Sequence, residues 1–303
     1  MRVFVTGASG HVGSAVVPEL RAAGHEVVGL ARSQRSADAL VAAGAEVHRG
    51  NLDDLEDLAA AATAADGVVH LAFKHEDMMA GDYLGAADAD LRVVEAFGDA
   101  LAGTGKPLVI TSGTGMLAAL NRVGTEDDAL ASGPRIDAEN TVIGYADRGI
   151  RSSVIRLPPT VHSDLDHHGF VPTLIAIARE KGVSGYVGDG ANRWPAAHTR
   201  DAAHLYRLAL ESAPAGSRLH AVDDEGVPFR DIAESIARHL NLPTATIPPE
   251  SAPTHFGFLA PMVTMDNPTS STRTRNLLGW NPTHPHLLED LDTGHYFEAP
   301  NKP

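Results

Sequence analysis

Gly7, Gly10 and Gly13 stand in G-x-x-G-x-x-G spacing between a short run of β-formers and a stretch of helical period. In that setting the first glycine permits a sharp turn and the second removes a side chain where a pyrophosphate approaches. The third lets helix and strand pack closely. Amides at the start of a helix then attract phosphate oxygens. Ser9, His11 and Val12 lie in the same loop, and the chemistry indicated is dinucleotide binding. In an NAD site an acid about twenty residues further on holds the ribose 2′-hydroxyl. Here the second strand runs into Leu30-Ala31-Arg32-Ser33, without an acid. A carboxylate would repel a 2′-phosphate, whereas Arg32 binds one by charge-assisted hydrogen bonds and Ser33 adds a donor. The pattern points to NADP(H), with a solvated loop arginine as the alternative. Asn51 and Leu52, after the third strand, are placed at the adenine.

The elements that must position these residues alternate. Val3–Val5 reads as a buried strand, and Val12, Val16, Val17 and Leu20 recur at helical intervals up to a cap near Gly24. Strands are expected at Glu26–Leu30, Ala45–His48, Gly67–Phe73, Pro107–Ser112 and Ser152–Leu157. Helices are expected between them at Ala37–Ala43, Leu52–Ala62, Asp88–Leu101 and Ile136–Asp147. This order implies an α/β, Rossmann-like fold with a doubly wound parallel sheet and right-handed crossovers. Beyond Pro158-Pro159 the texture changes. Helices are expected at Val171–Lys181, within Ala196–Leu210 and at Phe229–Leu240, with a strand at Arg218–Val222. Leu242–Pro253 is proline-rich, and Pro282, Pro285 and Pro300 limit regular structure in the C-terminal stretch. The expected division is a nucleotide domain of residues 1–162 plus roughly 193–222, and a smaller substrate lobe of roughly 163–192 and 223–303.

Composition narrows the function. A chain of 303 residues is long enough to bury about three-quarters of its unfolded surface. Lys plus Arg number 24 against 39 Asp plus Glu, a formal charge of −15, which argues against nucleic acid as partner. The absence of cysteine excludes disulfides, thiolate nucleophiles and cysteine-based zinc sites. The first residues enter a core strand directly, and no apolar run reaches the length of a membrane helix. The expectation is a cytoplasmic enzyme acting on a small molecule.

The motifs Thr6-Gly7-Ala8-Ser9-Gly10-His11-Val12-Gly13, His70-Leu71-Ala72, Thr111-Ser112-Gly113 and Ile155-Arg156-Leu157-Pro158 resemble those of the extended and atypical short-chain dehydrogenase/reductases. Gly188-Asp189-Gly190 and the His198-x-x-Asp201 segment extend the likeness, which covers roughly residues 1–240. The resemblance implies a cofactor along the carboxyl ends of the strands, at Leu71, Ala72, Phe73, Thr111, Pro158 and Val161, with nicotinamide near Ser112. It further implies a catalytic Ser followed by Tyr-x-x-x-Lys on the helix after strand five. Ser112 matches the Ser, but no Tyr-x-x-x-Lys occurs in the chain.

Aligning Glu139 with an acid common in the family puts Arg135 at the Lys position and Ala131 at the Tyr position. The chain therefore looks most like an atypical subgroup with His-x-x-x-Arg in that place, of which only the Arg survives. Arg135 suits ribose hydroxyls or a carbonyl but is a poor proton donor. His162 is the expected replacement donor, with a hydrogen-bonded loop histidine as the alternative. Arg193 and Trp194 are candidate contacts to an anionic or aromatic substrate, or else a packing Trp beside a solvated Arg. His198 and Asp201 are expected to tie the lobes together, and no metal is expected. The stripe Leu91, Val94, Phe97, Leu101 reads as core, with a homodimer interface as its secondary role. The expected activity is NADPH-dependent reduction of a carbonyl or activated double bond. The alternatives are an epimerase or dehydratase that retains its cofactor, and a non-catalytic NADP(H) sensor.

Overall fold

Val3 and Val5 pack on one side of a sheet and Phe4 on the other, the alternation that a strand buried on both faces requires. The computed structural model describes residues 1–298, so Pro300 lies outside it. Strands β1 (Arg2–Thr6), β2 (Glu26–Ala31), β3 (Glu46–Arg49), β4 (Gly67–His70), β5 (Pro107–Gly113) and β6 (Arg151–Leu157) follow one another, each pair separated by helix. After β7 (Thr160–His162), β8 (Ser184–Val187) and β9 (Arg193–His198), strand β10 (Ser217–His220) returns to the first sheet. The order there is β10-β6-β5-β4-β1-β2-β3, and every pairing is parallel. Strand order reverses between β1 and β4, which opens a crevice at their carboxyl ends. Gly7 leaves β1 at that crevice and Leu71 leaves β4 there.

One face of the sheet packs Val16, Leu20, Tyr206 and Leu210. The other packs Leu58, Val94, Phe97, Leu101 and Val142, so most of the apolar stripe on helix Tyr83–Leu101 is core. Strand β4 stops at His70, three residues short of the expected end. On the β1 side the ladder ends because β1 stops at Thr6 and Gly7 turns away at φ 66°: Leu71 N–H still reaches the Thr6 carbonyl, and Ala72 N–H donates to the Thr6 side chain instead. The helix after β5 runs Ile136–Gly144 and tightens into a 3₁₀ turn, Tyr145–Arg148, before Gly149 closes it at φ 69°.

Two small sheets complete the structure. In one, β9 pairs parallel with β7 and antiparallel with β11 (Asp224–Pro228); in the other, β8 pairs parallel with β12 (Thr244–Ile247). These strands span three to six residues, too few for a period to be read. They surround a third apolar cluster that includes Trp194, Phe229, Ile236, Phe256 and Leu291. The C-terminal stretch holds helices Ala252–Phe256, Ala260–Val263, Thr272–Leu278 and Leu287–Asp292. Pro253 and Pro261 sit in the first turn of two of them, where proline starts a helix instead of breaking one.

A buried ion pair locks the helix after β5 to the sheet. Arg156 on β6 is fully buried and donates two hydrogen bonds to Glu139, one of them at 3.0 Å from Nε, while Arg218 donates a third at 2.7 Å. Arg156 also donates to the Asp128 carbonyl at 2.7 Å and to His220 Nε2 at 3.2 Å. Burial alone would raise the Glu139 carboxyl, but the two guanidiniums outweigh it and hold the pKa below its ordinary value.

Glu139→Gln is expected to lower the unfolding free energy by about 3–5 kcal/mol, the cost of leaving a buried charge uncompensated. Urea unfolding measures it. A depressed folded-state pKa contributes stability above the unfolded carboxylate range and loses it as pH falls through the folded value. The variant is therefore expected to lose less stability on acidification than the parent.

Candidate active site

The glycine loop is shaped by contacts that leave no room for side chains. A Cβ on Gly7 would lie 2.7 Å from the Ala72 nitrogen, and one on Gly13 would lie 2.1 Å from the Gly7 oxygen. Gly10 differs: its Cβ would meet only the Gly7 oxygen, at 3.2 Å. Protein packing thus demands glycine at positions 7 and 13, and the space before Gly10 remains for a ligand. The main-chain N–H groups of His11 and Val12 donate to no acceptor among the described residues, and the helix Gly13–Ala22 begins directly after them. Unpaired amides at a helix start form an anion cradle. The His11 ring is engaged elsewhere, with Nε2 2.9 Å from Thr199 Oγ1. Burial holds its pKa below the ordinary imidazole value.

At the end of β2, Arg32 is exposed and pairs with Glu76, with NH1 3.3 Å from Oε2 and a shorter second contact. Ser33 Oγ caps helix Gln34–Ala42 by accepting from Ser36 N at 3.1 Å, so its hydroxyl has a structural task as well. Asn51 Oδ1 accepts from Asp53 N at 2.7 Å, and Leu52 packs against the core beside it. Lys74 donates to Asp53 at 2.6 Å.

The opposite half of the crevice holds a chain of polar contacts. Ala72 N–H donates to Thr6 Oγ1 at 3.3 Å, and Thr6 Oγ1 lies 2.6 Å from His70 Nδ1. His70 Nε2 lies 3.1 Å from Asp90 Oδ1, so this nitrogen carries the proton and the Thr6 hydroxyl donates to the other. Asp90 Oδ2 lies 3.8 Å from Arg135 Nε. Burial of Asp90 is outweighed by the His70 hydrogen bond and the Arg135 charge, which keep its carboxyl below the ordinary value. Arg135 also donates to the Thr111 carbonyl and stacks its guanidinium 4.3 Å from the centre of the Phe73 ring. Thr111 Oγ1 donates to the His70 carbonyl at 3.0 Å and contacts Tyr206 OH at 2.8 Å. Ser112 is buried, and its hydroxyl has no hydrogen-bond partner among the described residues. Pro158 is buried and Val161 half-buried just past β6.

Sequence reasoning missed His75. Its ring centre lies 5.3 Å from that of Phe73, against which Arg135 also stacks. The residue is exposed just past the end of β4. Partial desolvation and the Arg135 charge lower its pKa. The position was legible only as a polar residue following strand four; nothing local pairs it with Arg135, which is sixty positions away.

Several expected positions fall elsewhere. His162 is fully buried, and its Nδ1 donates to Asp290 Oδ2 at 2.8 Å, so it ties β7 to the C-terminal helix and has no route to a substrate. Trp194 is likewise fully buried, packed 4.9 Å from the Phe229 ring centre with Nε1–H donated to the Met262 carbonyl. It is a core residue, as the packing alternative holds. Arg193 is committed to Asp266, at 3.0 and 2.9 Å. Ala131 precedes the helix in an irregular loop, and Arg135 opens the helix at φ 67°, so positions 131 and 135 do not share a helical turn. Tyr145, on the helix itself, is buried with its hydroxyl donated to the Val94 carbonyl, and burial pushes its pKa up to about 12.

His198, Asp201 and His284 come together, with candidate ligand atoms all within 4.8 Å of one another. Asp201 accepts from Thr283 N, His284 N and His284 Nδ1, and the two imidazoles stack 4.5 Å apart at 7°. Stacked rings aim their lone pairs along parallel planes, whereas a metal needs them to converge. Asp201 acts as an anchor for the C-terminal segment.

A family model described as NAD dependent epimerase/dehydratase family matches residues 3–222. The chain is 47% identical to Uncharacterized protein C2A9.02 of Schizosaccharomyces pombe over 98% of its own length and 100% of that protein's. It is 27% identical to a 3-diazoavenalumate denitrifying reductase of Streptomyces sp, over 96% and 99% of the two chains. Among solved structures, DesIV, a dTDP-glucose 4,6-dehydratase of Streptomyces venezuelae with NAD and TYD bound, superposes with a TM-score of 0.78 at 19% identity. That match covers 97% of this chain and 96% of the other. No helix among the described residues is long and apolar enough to cross a membrane.

The glycine geometry separates folding from binding. Gly7→Ala is expected to destabilise the fold by roughly 1–3 kcal/mol through backbone strain, read as a lower urea midpoint. Gly10→Ala is expected to keep the parent's midpoint while weakening NADPH binding measured by cofactor fluorescence. Equal loss of stability in both variants would contradict this division.

Proposed function

The chain belongs to the NAD-dependent epimerase/dehydratase family, and from that premise we propose that it is an NADPH-dependent reductase of a small-molecule carbonyl or activated double bond. The observation that carries the reading is the pairing of an unpartnered Ser112 hydroxyl with an Arg135 guanidinium fixed on the preceding carbonyl, that of Thr111. Both are hydrogen-bond donors at the end of β5, where a developing oxyanion needs them. The reductase among the full-length relatives supports reduction over epimerisation. Arg32, just past a β2 whose carboxyl end carries no acid, supports NADP(H) over NAD(H). Residues 163–192 and 223–303 supply the substrate lobe in this reading.

When bound, the nicotinamide supplies the hydride. The glycine loop amides and the helix start would hold the pyrophosphate, and Arg135 would hold a nicotinamide ribose hydroxyl or polarise the substrate oxygen. Ser112 and Arg135 would stabilise the negative charge that develops on the substrate oxygen during reduction. His75, in its imidazolium form, gives its proton to that oxygen and is restored by solvent. Asp90 positions Arg135 and is itself oriented by His70.

Purified protein with NADPH and a panel of ketones, aldehydes, enones and imines tests this reading through loss of NADPH absorbance. Ser112→Ala and Arg135→Ala are expected to lower kcat/KM about 100-fold or more. The acid form of His75 is lost as pH rises, and its lowered pKa puts that loss below the usual imidazole midpoint. kcat/KM is therefore expected to fall as pH rises through the mildly acidic range. His75→Asn is expected to flatten that dependence and lower kcat/KM by about 10²–10⁴-fold. Saturable NADPH binding without turnover on any compound would overturn the reductase reading in favour of a sensor.

A further inference from the structure

The carboxylate of Glu76 faces the Arg32 guanidinium through both oxygens, a fork-to-fork contact of the kind a phosphate also makes. Glu76 belongs to the short helix His75–Met79, which follows the end of β4, whereas Arg32 follows β2. Two residues earlier, Lys74 reaches Asp53, beyond the end of β3. The two ion pairs draw residues 74–76 from β4 toward β2 and β3, over the half of the crevice where the adenosine of the proposed NADP(H) would lie. They are the contacts that hold this strap to those strand ends, and the Arg32–Glu76 pair is exposed on both sides. Exposed ion pairs are weak and exchange readily with competing anions.

We propose that Glu76 is an internal stand-in for the cofactor 2′-phosphate. It occupies Arg32 in the free protein, is displaced when NADP(H) binds, and thereby sets the discrimination between NADP(H) and NAD(H). This rests on the NADP(H) reading above. A dianionic phosphate outcompetes one carboxylate at Arg32, whereas the neutral 2′-hydroxyl of NADH does not. Displacement frees the strap at one of its two ties. His75 is the residue between Lys74 and Glu76, so the same event releases the segment that carries the proposed proton donor.

Calorimetric titration of the full chain with NADPH, NADH, 2′,5′-ADP and 5′-AMP tests the proposal without relying on turnover. Glu76→Gln removes the competing charge at an exposed position and is expected to tighten 2′,5′-ADP and NADPH about 2–5-fold, the worth of a surface pair. NADH and 5′-AMP are expected to stay within about twofold of the parent, because an uncharged 2′-hydroxyl does not compete for the pair. Arg32→Ala is expected to weaken the 2′-phosphate ligands alone. In the parent, amide hydrogen exchange across residues 74–80 is expected to speed up with 2′,5′-ADP and not with 5′-AMP. If Arg32→Ala weakens NADPH while Glu76→Gln changes nothing, the stand-in is wrong and the NADP(H) reading survives. If the parent binds NADPH no tighter than NADH and Arg32→Ala affects neither, both fall.

Discussion

Two guanidiniums meet the Glu139 carboxylate where water is excluded, and the layout of the crevice follows from that contact. Glu139 sits one turn into the helix that Arg135 opens, so clamping the carboxylate to Arg156 and Arg218 fixes where Arg135 emerges. Arg156 is the register partner of Ser112 across β5 and β6. The same clamp therefore sets the strand neighbour of one donor and the helix start of the other. Desolvating three charges is costly, and only mutual pairing with full hydrogen bonding offsets it. That requirement leaves one arrangement of strand and helix.

The clamp also reaches the C-terminal segment. Arg156 donates to His220 Nε2, which leaves Nδ1 to donate to the Ser270 carbonyl at 2.8 Å. Glu126, buried nearby, accepts from the backbone and hydroxyl of Thr274, each at 2.7 Å. Asp201 performs the corresponding task on the other side through Thr283, His284 and the Trp280 indole, which donates to its carbonyl. Polar anchors thus fasten a segment with few long elements of its own. The cost of leaving any of these groups unpaired in the interior supplies the specificity.

Asp90 stands at the junction of support and chemistry. It is held by His70, which is held by Thr6, which accepts from Ala72 beside Gly7. The glycine turn is therefore linked by hydrogen bonds to Asp90, and Asp90 faces Arg135 across a 3.8 Å ion pair. In the proposed reading, a chain without Tyr-x-x-x-Lys still has two donors there, the Ser112 hydroxyl and the Arg135 guanidinium. In the reading proposed for His75, the proton source lies at the start of the short helix after β4 instead of on the helix after β5.

Local patterns were legible in the chain itself. The glycine spacing, the apolar run of β-formers at Val3–Val5 and the helical period of Phe229–Leu240 each arise from interactions within a few residues, so the sequence determined the parallel α/β order and the family. The sequence also holds no Tyr-x-x-x-Lys. The burial of His162 and Trp194, the stand-off of Arg32 against Glu76 and the convergence of His75 and Arg135 on Phe73 were decided by tertiary structure alone. Each joins residues from separate elements, and whether a polar side chain meets water, an anion or a partner depends on what the folded chain brings against it. Sequence spacing encodes the first kind of contact, and only packing encodes the second.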